Sequence, residues 1–353
     1  MATTFKTLLN SDIANTRTLL HEAIPITGTI ISGTYNDENI KTFSHGMFEA
    51  IFDYPFLSSS ANHIIDITAG YSANSTLSAA ANTQGQKKIN IYNQHAQVLV
   101  GYDSTGAVRE FDQDGNVLAG DTKMRECIFI NFSRLLTKDE IKKESFRYTT
   151  YLTGANVTAS HDRTAKETIG DYGAATSFRA NSPAGEYGLL RSSSAAESDG
   201  NPIIGHIYYQ AGIAVITASV FSGAFGDPER ADNPGNSALT VNNALTGTTI
   251  TNIANSLRFA VDNVDFNNTT ELNSTIYFCR ANTQDYNYSA NPTYLNASKI
   301  RVKGDNPKAQ PVSYITTVGL YSADNELLAV AKLSEPLKKS PSNELTLRVR
   351  LDY

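Results

Sequence analysis

Apolar and polar positions alternate with a period of two along much of this chain, most strictly at its end. From Glu344 onward, Leu345, Leu347, Val349, Leu351 and Tyr353 interleave with Thr346, Arg348, Arg350 and Asp352. That alternation puts the apolar set on one face of a strand and the charged set on the other. A core is therefore expected beneath the five apolar residues, with Arg348, Arg350 and Asp352 outward. Upstream, Ser322-Ala323-Asp324-Asn325-Glu326 is turn chemistry between two apolar runs, so residues 315–320 and 327–333 predict a hairpin. Pro336 and Pro341 are expected to keep the following connector out of the ladder, because proline has no amide to donate.

The same reading extends to the rest of the chain. Phe5, Leu8, Leu9, Ile13, Thr16 and Leu20 keep near-helical spacing and predict a first helix that ends by Pro25 and Gly28. Met47, Phe48, Ile51 and Phe52 fit a second helical face. "HIIDITAGY", "KKINIYNQHAQVLVGYD" and "RECIFINFSRLL" read as buried segments. "TGAVREFDQDGNVLAG" predicts a hairpin turning at Asp112-Gln113-Asp114-Gly115-Asn116. Thr137-Lys138-Asp139-Glu140 has the form of a capping box and predicts the start of a short helix.

From 153 to 205 the periodicity disappears, and the stretch reads as an irregular arm. "GHIYYQAGIAVITASVF" then predicts a hairpin with Gly212 where a positive φ is wanted. A second loose stretch covers 222–249. Ile253, Leu257, Ala260, Val261 and Val264 restore a helical face near 251–264, and strands follow from Ser274. The fold class is α+β, mostly β: antiparallel sheets or a β-sandwich, with a few packed helices and long irregular arms. The expected divisions are an N-terminal α+β region over 1–153, an arm over 154–205 and a β-rich C-terminal domain over 206–353.

Composition narrows the function classes. With 353 residues the chain can bury a sizeable core, and its net charge is −6. No basic cluster exists to neutralise phosphates, so neither nucleic acid nor an anionic membrane is an expected partner. "KLSEPLKK" reads as a solvated edge. The two cysteines, Cys127 and Cys279, sit in apolar strand-like runs and are expected to be buried, reduced and inert. "MATTFKTLLN" lacks the charged and apolar segments of a signal peptide, and no apolar run is long enough to span a bilayer.

Candidate chemistry is thin. No Gly-X-Ser-X-Gly or His-Glu-X-X-His occurs. "GYDSTGA" departs from a phosphate loop at Ala107, where lysine is required. "DQDGN" departs from a calcium loop at Lys123, where a bidentate glutamate is required. The six histidines show no zinc-like spacing. His45 and His63 stand near carboxylates in sequence, which chance alone supplies in a chain this rich in serine and aspartate. No catalytic, cofactor or metal residue is assigned. Tyrosine is abundant and tryptophan absent. "DYNYSANPTY" places Tyr286 and Tyr288 in a loop, either pinned to a sheet edge or offered to a partner protein.

Two stretches carry a resemblance. "FNNTTELNSTIYFCRANTQDYNYSANPTYLNASKIRVK" followed by "YITTVGLYSADNELLAVAKLSEPLKK…LRVRLDY" resembles virion structural proteins of large contractile-tailed phages, particularly marine and cyanobacterial myoviruses. "GHIYYQAGIAVIT" and "INFSRLLTKDEIKKESF" are similar to the same group. The resemblance implies a structural subunit without catalytic residues: a baseplate wedge or tail assembly protein, located in the virion. It would dock neighbouring tail or fibre proteins and form a homo-oligomer in the particle. Arg348, Arg350, Asp352, Tyr286 and Tyr288 are the candidate partner contacts. The alternatives are a receptor- or glycan-binding tail module and, third, a capsule- or cell-wall hydrolase.

Overall fold

The computed structural model describes residues 5–27, 38–117, 122–153, 165–192, 203–222, 240–287, 295–296, 299–300 and 310–353. The described residues are mostly β, with antiparallel sheets and four helices among them. The chain divides into two compact units. The larger is Leu20–Thr270, and the smaller combines Met1–Leu19 with Glu271–Tyr353.

In chain order, β1 (Ile13–Thr27) is followed by β2 (Ile40–Thr42), β3 (Glu49–Phe52), β4 (His63–Tyr71) and α1 (Gly85–Leu99). The short pair β5 (Phe111–Asp112) and β6 (Lys123–Met124) precedes β7 (Glu126–Phe132), a single turn α2 (Arg134–Thr137) and β8 (Glu140–Ile141). Next come β9 (Arg147–Thr153), β10 (Ala165–Gly170), β11 (Arg179–Ser182), β12 (Gly185–Leu190), β13 (Gly205–Tyr208) and β14 (Ile213–Thr217). Two helices, α3 (Val241–Gly247) and α4 (Ile250–Ala260), lead into β15 (Val261–Ala281). The chain closes with β16 (Leu295–Asn296), β17 (Lys299–Ile300), β18 (Ser313–Tyr321), β19 (Leu327–Lys339) and β20 (Leu345–Asp352).

The larger unit is built on an eight-stranded sheet in the order β11-β12-β13-β14-β7-β4-β3-β2. Both faces of its centre are covered, so its strands read as nearly continuous apolar runs. Ile128, Ile130 and Phe132 of β7 join Ile65 and Ile67 of β4 in a core with Tyr148 of β9, Leu257 of α4 and Val264 and Phe266 of β15. Cys127 and Phe129 point to the opposite face, where α1 supplies Ile91, Tyr92, Ala96 and Leu99. The helix sits close because residue 70 is glycine: a Cβ there would lie 2.6 Å from the Lys88 carbonyl oxygen and 2.9 Å from the Tyr92 amide.

Several local expectations are overturned. Residues predicted as the first helix form a short 3-10 turn and then β1, which pairs with β15. Threonines and isoleucines along β1 suit an extended backbone, and an edge position accommodates Pro25. The proposed helix at Met47–Phe52 is β3, held between β2 and β4. The motif at Thr137 ends a turn instead of starting a helix: Lys138 has φ 54°, and Glu140–Ile141 pairs with Asn268 and Thr269 of β15.

The stretch read as an irregular arm contains β10, β11 and β12, with Ile169, Tyr187, Leu189 and Leu190 buried. Residues 154–164 and 193–202 of it lie outside the described residues. The second loose stretch contains α3, and its residues 223–239 lie outside them too. Helix α4 ends at Ala260, so Val261 and Val264 belong to β15. The hairpin around Gly212 forms as expected, with φ 66° at that glycine. The Asp112–Asn116 turn also forms, but the partner of β5 is β6, later than the sequence indicated.

In the smaller unit, β20 pairs antiparallel with the second half of β15, from Ser274↔Asp352 to Ala281↔Leu345. β18 and β19 form a separate two-stranded sheet.

Candidate interaction surface

Three buried titratable groups of the larger unit, Asp171, Lys88 and His206, are committed to internal contacts, whereas Glu49 Oε2 and Asp112 Oδ1 are buried without a hydrogen-bond partner among the described residues. The Asp171 carboxylate is buried and accepts from the amides of Glu144 (2.7 Å) and Phe146 (3.0 Å), from Arg147 Nη1 (3.2 Å) and from the Tyr209 hydroxyl (2.9 Å). Burial raises its pKa to about 6 against those four donors. Lys88 is fully buried, and its Nζ donates to the carbonyls of Thr83 (2.9 Å), Leu245 (2.7 Å) and Thr248 (2.7 Å). Desolvation lowers its pKa to about 8. It is a clamp across the end of α3. His206 packs tilted against Tyr187 and edge-on to Tyr208, with Nε2 3.3 Å from the Gln113 carbonyl, and desolvation lowers its pKa to about 4.

His63 does meet a carboxylate, with Nε2 2.8 Å from Asp66 Oδ1, and that bond raises its pKa. No serine or cysteine hydrogen-bonds to it among the described residues, so the pair lacks a nucleophile. His45 accepts the Met47 amide at 3.1 Å and stacks on Phe43. Among the described residues no three histidine, cysteine or acidic side chains gather as a metal site. A surface cavity of about 260 Å³ at the start of α1 is lined by residues including Ala79, Asn82, Gln84 and Lys87, with no carboxylate, histidine or thiol.

The smaller unit differs in kind. Leu345, Leu347 and Leu351 are half-buried and Val349 is buried, while Arg348, Arg350 and Asp352 are exposed, as the alternation requires. Tyr353 departs from the expectation: its side chain is 76% exposed. Its backbone still pairs with Asn273 on both sides, and its hydroxyl lies 3.1 Å from Thr275 Oγ1. Among the described residues β20 pairs only with β15.

Of the candidate contacts, Arg350 and Asp352 are paired with each other at 2.6 Å and share Ser274, whose hydroxyl donates to Asp352 at 2.5 Å. These bonds hold the Asp352 carboxyl below its ordinary pKa. Arg348 is exposed with no partner among the described residues. Tyr286 is 49% exposed with φ 55°, and its carbonyl accepts from Ser313 Oγ at 2.8 Å. Tyr288 lies outside the described residues. The lysine-rich edge is only partly solvated. Lys339 is fully buried, with Nζ bound to the Thr283 carbonyl, Asn287 Oδ1 and the Ser340 carbonyl.

The surface missed in sequence is the β18–β19 hairpin itself. The two strands form the expected hairpin around the Ser322–Glu326 turn, with a register shift at Leu320/Tyr321, but Pro336 lies inside β19 instead of after it. The ladder adapts by a bulge: Ile315 faces Leu337, while Thr317 faces Lys332. Val318, Leu320, Ala329 and Ala331 turn to the half-buried side. On the other side the Tyr321 ring and Leu327 lie over Gly319, where a Cβ would come within 2.9 Å of the ring. Phe5 packs on Tyr321 at 4.7 Å between centroids. Leu328 is 68% exposed, and Leu327 and Val330 are 52% exposed. A cluster of large, open apolar side chains on one ribbon is uncommon on a surface that faces only water.

The chain matches no protein-family model, and neither a curated protein nor a solved structure matches it significantly. Among the described residues no helix is long and apolar enough to cross a membrane.

Proposed function

We propose that this chain is a structural subunit of a tailed-phage virion, a baseplate wedge or tail assembly protein that works by presenting surfaces to neighbouring tail proteins. The observation that carries the reading is the contrast between committed and open groups. Lys88 and Asp171 of the larger unit are held by three and four internal bonds, while the smaller unit leaves Phe5, Tyr321, Leu327, Leu328 and Val330 open. Catalysis needs poised titratable groups in a cleft, whereas assembly needs apolar area on a stiff element. The virion resemblance in the C-terminal stretch supplies the context, and Arg348 and Tyr286 are available as rim contacts.

The test is mass spectrometry of purified particles of the phage that encodes the chain, joined to a gene disruption. The protein is expected in the particle at a fixed copy number per tail, and its loss should leave tails or baseplates incomplete. Absence from purified virions, with normal particles after disruption, would overturn the reading.

A further inference from the structure

The base of the β18–β19 ribbon differs from its open face. A two-stranded ribbon is marginal in water unless something anchors it. Ser313 at the start of β18 pairs with Lys339 at the end of β19, and both side chains reach the turn that follows β15. Ser313 Oγ donates to the Tyr286 carbonyl at 2.8 Å. Lys339 Nζ donates to the Thr283 carbonyl at 3.2 Å, to Asn287 Oδ1 at 3.0 Å and to the Ser340 carbonyl at 2.9 Å. All of these residues belong to the smaller unit.

Lys339 is fully buried, and among the described residues none of its acceptors is a carboxylate. A buried ammonium without an anionic partner is destabilising. The Asn287 carboxamide that it touches is itself fixed, because Nδ2 donates to the same Thr283 carbonyl at 2.6 Å. Asp285 holds the turn in shape: its carboxylate accepts from the Asn282 amide at 3.0 Å and pairs with Lys6. An amine and a carboxamide are thus kept in contact in one orientation. Such positioning replaces a bimolecular encounter with an effective concentration of roughly 10⁵–10⁸ M in well-oriented cases, and a lysine amine is a competent nucleophile once neutral.

We propose that Lys339 and Asn287 join in an isopeptide bond within the chain. Nζ, after giving one proton to solvent, attacks Cγ of Asn287, and the carbonyl π pair moves to Oδ1. As the tetrahedral carbon collapses, the Cγ–Nδ2 bond breaks, a proton passes from Nζ to Nδ2, and ammonia leaves. The balance is closed: an amine and a primary amide become a secondary amide and ammonia. Asn282, Thr283 and Gln284 are exposed, so ammonia escapes to solvent and the step runs one way. The product removes the buried charge and ties the end of β19 to the turn after β15, between positions 52 residues apart. The bond forms in the lone chain and does not depend on the virion reading.

Intact-mass measurement and peptide mapping of the purified full-length protein, before and after incubation at mildly alkaline pH, test the proposal. The expected result is a mass lower by one ammonia, with a branched peptide joining residues 287 and 339. Lys339→Arg and Asn287→Ala should each restore the full mass while circular dichroism stays that of the parent. Should either variant fail to fold, the presence or absence of the branched peptide in the parent decides the matter alone. The full mass with two linear peptides after incubation overturns the proposal. So does a deficit that survives Lys339→Arg, because it would come from ring closure at an asparagine.

Discussion

The two units share one sequence grammar and put it to opposite uses. In the larger, alternating and continuous apolar runs end in a sheet covered on both faces. Ile65, Ile67, Ile128 and Phe129 are at or near complete burial. In the smaller, the alternation is at least as strict, yet among the described residues only Ile276, Ala281 and Val349 are buried apolar side chains. Its buried set is largely polar: Asp12, Ser274, Thr275, Lys339 and Ser340. Periodicity fixes which face a side chain takes, but burial depends on whether something lies over that face. The larger unit has its own cover, and the smaller displays what a cover would need.

The strongest way to probe the comparison is to break a saturated site of the larger unit. Asp171→Ala leaves four donors without their acceptor inside the fold, at an expected cost of about 3–5 kcal/mol. Urea unfolding should show this as a lower midpoint, or as failure to fold. A loss under about 1 kcal/mol would mean that water reaches those donors.

Core truncation sharpens the contrast. Ile67→Ala, at a fully buried position, is expected to cost about 2–5 kcal/mol. Leu347→Ala, half-buried on β20, should cost about 1 kcal/mol or less, because little of its surface left water on folding. Equal costs would show that the strand faces of the two units are equally covered.

Acid titration comes next. His206 stays neutral in the fold down to about pH 4, while the unfolded chain takes its proton near 6.5. Stability is therefore lost as pH falls through that window, by up to about 3 kcal/mol. Asp171 has the opposite sign: with a folded pKa of about 6 against 3.8 unfolded, the fold gains stability as pH falls from 6 towards 4. The parent should thus change little between pH 6 and 4. His206→Gln, which keeps a donor for the Gln113 carbonyl, should expose the Asp171 trend as rising stability in acid. An unchanged profile in the variant would remove His206 from the account.

The smallest effect is kinetic. Cys127 is fully buried and its thiol is pushed well up by desolvation, whereas Cys279 is half-buried with a smaller upward push. A thiol reagent should label Cys279 slowly in the native protein and Cys127 only after unfolding. Faster labelling of Cys127 would contradict the burial pattern of the larger unit.

Much of this was legible in sequence where the pattern was long and the turn chemistry strong. The hairpins at Gln210–Gly212 and Ser322–Glu326, the mostly β class and the outward set Arg348, Arg350 and Asp352 follow from alternation and turn residues alone. β1 was not legible, because its apolar spacing satisfies a helix while its partner, β15, lies some two hundred and fifty residues away. β10 to β12 were missed because glycine and serine dilute their pattern, and Tyr187 and Leu190 are buried only through neighbours distant in sequence. The hairpin's open face was invisible for a related reason: sequence shows which residues alternate, and exposure depends on what else is present. Both cysteines read alike in sequence, yet only Cys127 is enclosed.

The bulge opposite Thr316 has a consequence for growth. A bare ribbon edge invites strand after strand, the route to endless cross-β stacks. In β19 the register jumps across residues 333–336, and Pro336 offers no amide to an incoming strand. Added strands would lose alignment at that point, so lateral propagation stalls. Such a terminator separates finite association from fibre.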